Sequence, residues 1–213
     1  DDQELLDWLF DHVLPMEANL TADQMRLAAE LGYLEMIETG TTAVIDHLSV
    51  SHAEEAIEAA GEMGIRARLG KVLMDQRSPD GLLEETEEAL AESERLIQEY
   101  HGSYDGRLQY AVTPRFAVSC TEECLRGSRE LADKYDGVMI HTHASENQDE
   151  IKTVEEDTGM RNIHWLNEVG ITGEDVVLAH GVWTDETERD ILEETGTSVT
   201  HCPSSNMKLA SGI

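Results

Sequence analysis

Six short β-branched runs alternate along the 213 residues with six longer amphipathic stretches of helical period. This alternation constrains the fold more than any other feature of the chain. Thr42 to Asp46, Ile65 to Val72, Leu108 to Val112, Val138 to Thr142, Val176 to Ala179 and Thr197 to Thr200 predict strands. Helices are expected near 21–38, 52–62, 81–100, 121–134, 147–157 and 184–194. Thr121 before Glu122 and Glu123, and the run Thr184-Asp185-Glu186, carry the capping residues and first-turn acids of helix starts. Gly40, Gly64, Gly137 and Gly196 fall between a helix and the next strand, where a left-handed cap is wanted. Repeated strand–helix units imply parallel strands joined by right-handed crossovers. A doubly wound open sheet and an eightfold barrel both satisfy that pattern, and periodicity alone does not choose between them. No Gly-rich phosphate loop follows the first strand to favour a nucleotide-binding sheet. No linker, low-complexity tract or repeat interrupts the series, so residues 1–213 are read as belonging to one domain.

Charge narrows the partners. The chain has 45 acidic and 15 basic residues, a formal net charge of −30. Nucleic acid is excluded as a main partner, because phosphate binding needs clustered Lys and Arg to displace counterions. An anionic membrane surface repels such a chain, and no run approaches the eighteen apolar residues of a membrane span. The start, Asp1-Asp2-Gln3-Glu4, lacks the basic and apolar regions of a secretory leader. A soluble, cytoplasmic protein is the expectation. A salt-rich cytoplasm suits the acidity, since screening relieves self-repulsion on a densely charged surface. Three cysteines, Cys120, Cys124 and Cys202, make no disulfide framework. Cys120 and Cys124 read as small buried thiols.

The residues suited to chemistry collect just beyond the strands. In parallel α/β proteins the carboxyl ends of the strands carry the site. His141-Thr142-His143-Ala144-Ser145-Glu146 ends the fourth predicted strand, His180-Gly181 the fifth, and His201-Cys202-Pro203-Ser204-Ser205-Asn206 the sixth; Thr113-Pro114-Arg115-Phe116 ends the third. His141 and His143, two apart on a strand, face the same side. Glu146 stands where the strand gives way to a loop and can turn back over that side. An imidazole holding a metal beside a carboxylate would let the metal acidify a water while the carboxylate moves its proton. Any one of these histidines alone reads as a core group satisfied by backbone; His143, Glu146 and His180 together, all at strand ends, read as a site. His12, His47, His52, His101 and His164 read as structural or surface, with His47 nearest the expected pocket.

The ordered series Thr-Pro-Arg-Phe-Ala-Val-Ser-Cys (113–120), His-Thr-His-Ala-Ser-Glu-Asn (141–147), Leu-Ala-His-Gly (178–181) and His-Cys-Pro-Ser-Ser-Asn-Met-Lys-Leu-Ala-Ser-Gly (201–212) resembles the amidohydrolase superfamily. The branch it resembles holds guanine deaminase, the methylthioadenosine/S-adenosylhomocysteine and 5′-deoxyadenosine deaminases, and the triazine hydrolases. The resemblance implies a (β/α)8 TIM-type barrel of which this chain supplies about the second through seventh strands. It implies one divalent metal, zinc or iron, with His143 as a ligand. Glu146 matches the catalytic acid/base and His180 the histidine that orients water or substrate. Arg115 and Phe116 match the pair facing a nitrogen heterocycle, the small-molecule partner; the other use for Arg115 is pairing with a surface acid. The paired histidines of the family's first strand and the aspartate of its eighth have no counterpart in this sequence. The expected activity is hydrolytic deamination of a purine base or adenosine derivative. The alternatives are a triazine chlorohydrolase or aminohydrolase and a non-catalytic truncated barrel, and a homo-oligomer is left open.

Overall fold

The computed structural model describes residues 5–212. Its N-terminal stretch is helical: α1 (Leu5–Trp8), a π-turn over Leu9–Val13 and α2 (Leu14–Glu17) run on continuously. Then the alternation begins. Helix α3 (Ala22–Glu38) leads to β1 (Ala43–His47), and α4 (Ala53–Met63) leads to β2 (Arg66–Gly70) and β3 (Val72–Leu73). Helix α5 (Thr86–Tyr100) and the short α6 (Ser103–Gly106) precede β4 (Leu108–Pro114); α7 (Glu122–Asp133) precedes β5 (Met139–Ala144). Helices α8 (Gln148–Thr158) and α9 (Asn162–Glu168) precede β6 (Val176–His180), α10 (Glu186–Thr195) precedes β7 (Ser198–Thr200), and α11 (Pro203–Lys208) follows it.

All strand pairs are parallel, and the main path of the sheet is β1-β2-β4-β5-β6-β7, with β3 paired to β4 alone. Neighbours in space are neighbours in sequence. A doubly wound sheet reverses its strand order at a switch point; this one never does, so it winds in one sense as a barrel wall does. The predicted strand 65–72 is split at Lys71. There the Lys71 amide donates to the Tyr110 hydroxyl at 3.1 Å, and the Thr113 hydroxyl donates to the Lys71 carbonyl at 2.7 Å, in place of ladder bonds. Gly70 permits this, because a Cβ at that position would sit 1.9 Å from the Ala111 carbonyl oxygen.

The helices start and stop for local reasons. Asp185 caps α10 by accepting from the Glu188 amide at 2.9 Å, Thr121 caps α7, and Gly64 and Gly196 take the left-handed conformation at helix ends. Helix α5 begins five residues later than the expected 81. Residues 79–83 form a turn instead, with the Leu82 and Leu83 amides both donating to the Pro79 carbonyl, and Glu84 reaches back to the buried Lys71 ammonium. The core lies between sheet and helices and includes Ile57, Leu69, Leu108, Tyr110, Val112, Leu125, Ile140, Val176 and Leu178. Burying each such side chain contributes about 1.5–3 kcal/mol. Cys120 and Cys124 are buried in it as free thiols, as their spacing in the sequence led us to expect. No helix among the described residues is long and apolar enough to cross a membrane.

Candidate active site

The carboxyl ends of β4, β5 and β6, the N-terminal helical stretch and α11 enclose a cavity of about 170 Å³. Arg115, Phe116, His143, Glu146 and His180 all line it, so the five residues singled out in the sequence meet in one compartment. The opposite wall is apolar and comes from Leu5, Trp8, Leu9 and Val13, with Ser205 and Leu209 from α11 at the side. A larger, more open depression of about 740 Å³ lies at the amino ends of the strands. Its two arginines are already engaged, Arg129 with Asp133 and Asp175 and Arg68 with the Gly137 carbonyl, and no histidine lines it. The smaller cavity is the one equipped for chemistry.

Register brings the key groups together. His143 lies opposite Ala179 and Ala144 opposite His180 on adjacent strands, so the two imidazoles stack with centroids 5.5 Å apart. His143 Nδ1 is 2.7 Å from the Arg115 carbonyl oxygen. A carbonyl only accepts, so Nδ1 carries the proton and Nε2 keeps its lone pair. His180 Nδ1 is likewise 2.7 Å from Asn206 Oδ1, and its Nε2 stands 3.2 Å from Glu146 Oε2. His180 and Ser145 hold positive φ angles of 78° and 53°. Non-glycine residues seldom adopt these, and they mark backbone shaped to aim the side chains at each other.

Burial sets the protonation. It pushes His143 down to about 3 and His141 down to about 4, and it lowers His180 and His47 as well. All four imidazoles are therefore neutral at pH 7, with lone pairs to offer. Burial, reinforced by the charge of nearby Glu150, raises Glu146 to about 7, while the Ser211 hydroxyl works the other way. A carboxyl that half-titrates near neutrality is suited to accept a proton and return it.

The donor set fits a divalent metal. His47 contacts both His141 and His143 edge-on, with centroids 4.5 and 4.6 Å away. Both ring nitrogens of His47, Nδ1 of His141 and Oε1 of Glu146 are shielded from water and without a hydrogen-bond partner among the described residues. Neutral imidazole nitrogens and a carboxylate oxygen are donors that a divalent metal takes, though among the described residues these atoms do not close to within 4.8 Å of one another as a set. A second group, Asp75, Cys120 and Cys124, gathers its ligand atoms more tightly, within 4.8 Å of one another. Those donors are already committed. Asp75 accepts from the Thr121 amide at 2.7 Å and the Thr86 hydroxyl at 2.7 Å, and the Cys120 thiol donates to the Leu73 carbonyl. That cluster joins loops to helix starts.

Arg115 both lines the cavity and pairs with Glu17, whose Oε2 is 3.0 Å from its Nη1. The sequence offered a heterocycle or a surface acid as its partner; the acid it takes is Glu17 at the end of α2, a largely buried group outside the cavity lining. The remaining histidines are elsewhere: His101 accepts from the Tyr110 amide, and His164 bonds Thr187. Sequence reading gave no role to four contributors, although it set His47 nearest the pocket and His141 on the same side of its strand as His143. His47 and His141 join the imidazole cluster, Asn206 orients His180, and the helical stretch from Leu5 to Val13 builds the apolar wall. Leu5, Trp8, Leu9 and Val13 do recur at helical spacing, which was a readable signal.

The amidohydrolase family model matches residues 1–213. The chain belongs to the amidohydrolase family. It is 41% identical, over 214 residues, to a 5′-deoxyadenosine deaminase of Methanothermobacter thermautotrophicus, a match covering all of this chain and 48% of that protein. It is 40% identical to a 5-methylthioadenosine/S-adenosylhomocysteine deaminase of Haloarcula marismortui, again covering the whole chain and 48% of the relative. Among solved structures, guanine deaminase of E. coli superimposes with a TM-score of 0.94 at 34% identity, covering 99% of this chain and 50% of that one. This amidohydrolase chain thus spans about half the length of the curated relatives it matches. Its sheet is an incomplete TIM-type barrel.

Proposed function

We propose that this chain is the central part of a metal-dependent hydrolytic deaminase acting on a purine base or an adenosine derivative. The observation that carries the reading is the meeting of His143 Nε2, Glu146 and His180 Nε2 in one cavity, with Glu146 Oε2 3.2 Å from His180. Identity near 40% to deaminases of adenosine derivatives supports the same chemistry. Zinc or iron, held at His143 Nε2 and by ligands from outside residues 1–213, would supply a water acidified from a pKa of about 16 towards roughly 7.

The chain's own groups do the rest. Glu146, raised to about 7, takes a proton at its free Oε1 and delivers it to a ring nitrogen, which makes the amino-bearing carbon electrophilic. His180, neutral and fixed by Asn206 with its proton on Nδ1, accepts a hydrogen bond from the attacking water at Nε2 and so orients it. Once that oxygen has bonded to the amino-bearing carbon, Glu146 takes its second proton and passes it to the amino nitrogen, so the C–N bond breaks, ammonia leaves and a carbonyl remains. Arg115 offers guanidinium donors to acceptors on the heterocycle, and Phe116 presents a ring for it to pack against. The apolar wall from Leu5 to Val13 keeps bulk water away from the ring. A cytoplasmic, salt-rich setting accords with the charge of −30 and with three cysteines, all free.

The test is ammonia release by the intact metal-loaded polypeptide from guanine, 5′-deoxyadenosine and methylthioadenosine, assayed side by side with a chlorotriazine. Release from at least one purine is expected, with chelation abolishing it and zinc or iron restoring it. Turnover of the triazine alone, or of nothing, overturns the reading.

A further inference from the structure

Among the described residues three helices open with a capping box, in which the N-cap side chain and the residue at the third helical position satisfy each other's backbone amides. In α3 the third position is Gln24, on the surface. In α10 it is Glu188, buried but neutralised by Arg161 at 2.9 Å. In α8 it is Glu150, which is 0% exposed and has no cationic partner among the described residues. A cap needs only an acceptor, and glutamine supplies one without the cost of burying a charge. Capping therefore does not explain an ionisable group at position 150.

What surrounds Glu150 does. Its Oε2 accepts from the Glu146 amide at 2.8 Å and, more distantly, from the Asn147 amide at 3.4 Å. Its Oε1 accepts from Asn162 Nδ2 of α9 at 2.8 Å. The turn bearing Glu146 is thus wrapped around a buried carboxyl group, starting from the left-handed Ser145. The link is direct: Glu150 grips the backbone of the residue whose own carboxyl meets His180. We propose that Glu150 is the positioning residue for Glu146, fixing the backbone from which its carboxyl reaches into the cavity and holding a negative group behind it. This rests on the reading of Glu146 as the acid/base.

Glu150→Gln and Glu150→Ala in the intact polypeptide test it, beside Glu146→Gln and the double variant Glu146→Gln/Glu150→Gln. Glutamine fits the site: its oxygen keeps the Glu146 amide, and its NH2 meets Asn162 Oδ1, a buried acceptor without a partner among the described residues, once that amide turns over. Glu150→Gln is expected to keep metal content and slow hydrogen exchange at the Glu146 amide, with KM within about threefold, while kcat falls tenfold or more. Glu150→Ala should also speed exchange at that amide. The double variant should be no slower than Glu146→Gln alone, because the two act as a unit. A kcat within twofold of the parent in Glu150→Gln makes Glu150 a cap and no more. Joint loss of kcat, metal and fold in that variant makes its role merely structural, and a further tenfold loss in the double variant makes it independent of Glu146; each result overturns the proposal. Amide exchange needs no substrate. A parent enzyme inert to every purine therefore refutes the function, while exchange still decides whether Glu150 holds the Glu146 backbone.

Discussion

Replacing Glu146 by glutamine should make the metal-free protein more stable at pH 8 and change it far less at pH 5. In the fold this carboxyl is buried and its proton affinity is raised from 4.5 to about 7. A group whose folded value lies above its unfolded one gives stability that is fully present below the unfolded value and lost as pH rises through the folded value. Below pH 4.5 both states hold the proton; above pH 7 the folded state must carry an unpaired buried charge. At about 1.4 kcal/mol for each tenfold change in proton affinity, the difference is worth up to roughly 3 kcal/mol. Glu150, also raised to about 7, shares part of this, because removing one charge eases ionisation of the other. A gain of about 2 kcal/mol at pH 8 is the working figure, equivalent to roughly 4–8 °C in Tm for a chain of this length. Thermal melts of parent and variant between pH 5 and 8, after dialysis against chelator, measure it. Chelator matters, since a bound cation would itself stabilise the carboxylate. Equal melting curves at every pH would refute the claim that Glu146 is a buried and uncompensated acid. A gain in stability accompanied by loss of turnover would show a site held against the preference of the fold.

Asn206→Leu removes the acceptor that fixes the His180 tautomer, and kcat should fall 10–100-fold, whereas Asn206→Asp should retain most activity; equal rates in both would leave Asn206 without that role. Glu17→Gln leaves the Arg115 guanidinium half-buried without its carboxylate, so denaturant unfolding should show a loss of about 1–3 kcal/mol, with KM raised several-fold. Gly70→Ala drives a methyl group into the Ala111 carbonyl, a backbone atom that cannot step aside, and should cost at least about 3 kcal/mol by the same measurement.

How much of this was legible in the sequence depended on the range of the forces involved. All six strands and their six following or preceding helices are local patterns, and they lie where the periodicity put them to within a few residues, apart from the start of α5. The break at Lys71 was invisible because it is made by Tyr110 and Thr113 of a neighbouring strand. The short α9 and α11 carry too few turns to show a period. The choice between open sheet and barrel was likewise out of reach for periodicity, since it lies in strand order and came only with the family resemblance. In the site, Arg115, Phe116, His143, Glu146 and His180 stood at strand ends in a recognisable series. His47 also ends a strand but belongs to no such series, and a lone histidine becomes informative only when its neighbours across the sheet are known. Glu150 was readable as a cap from the Asn-x-x-Glu spacing. Its burial was not, since that depends on Asn162 arriving from the next helix.

The strict agreement between strand order and chain order has a consequence for how such a protein can change. Each group of the site is delivered by its own consecutive segment: Arg115 after β4, His143 at the end of β5 and Glu146 just beyond it, His180 at the end of β6, Asn206 after β7. Lengthening or rewriting one connection alters one wall of the chamber and leaves the other deliveries where they were. Substrate preference can therefore drift, loop by loop, without the proton-handling groups having to be invented again.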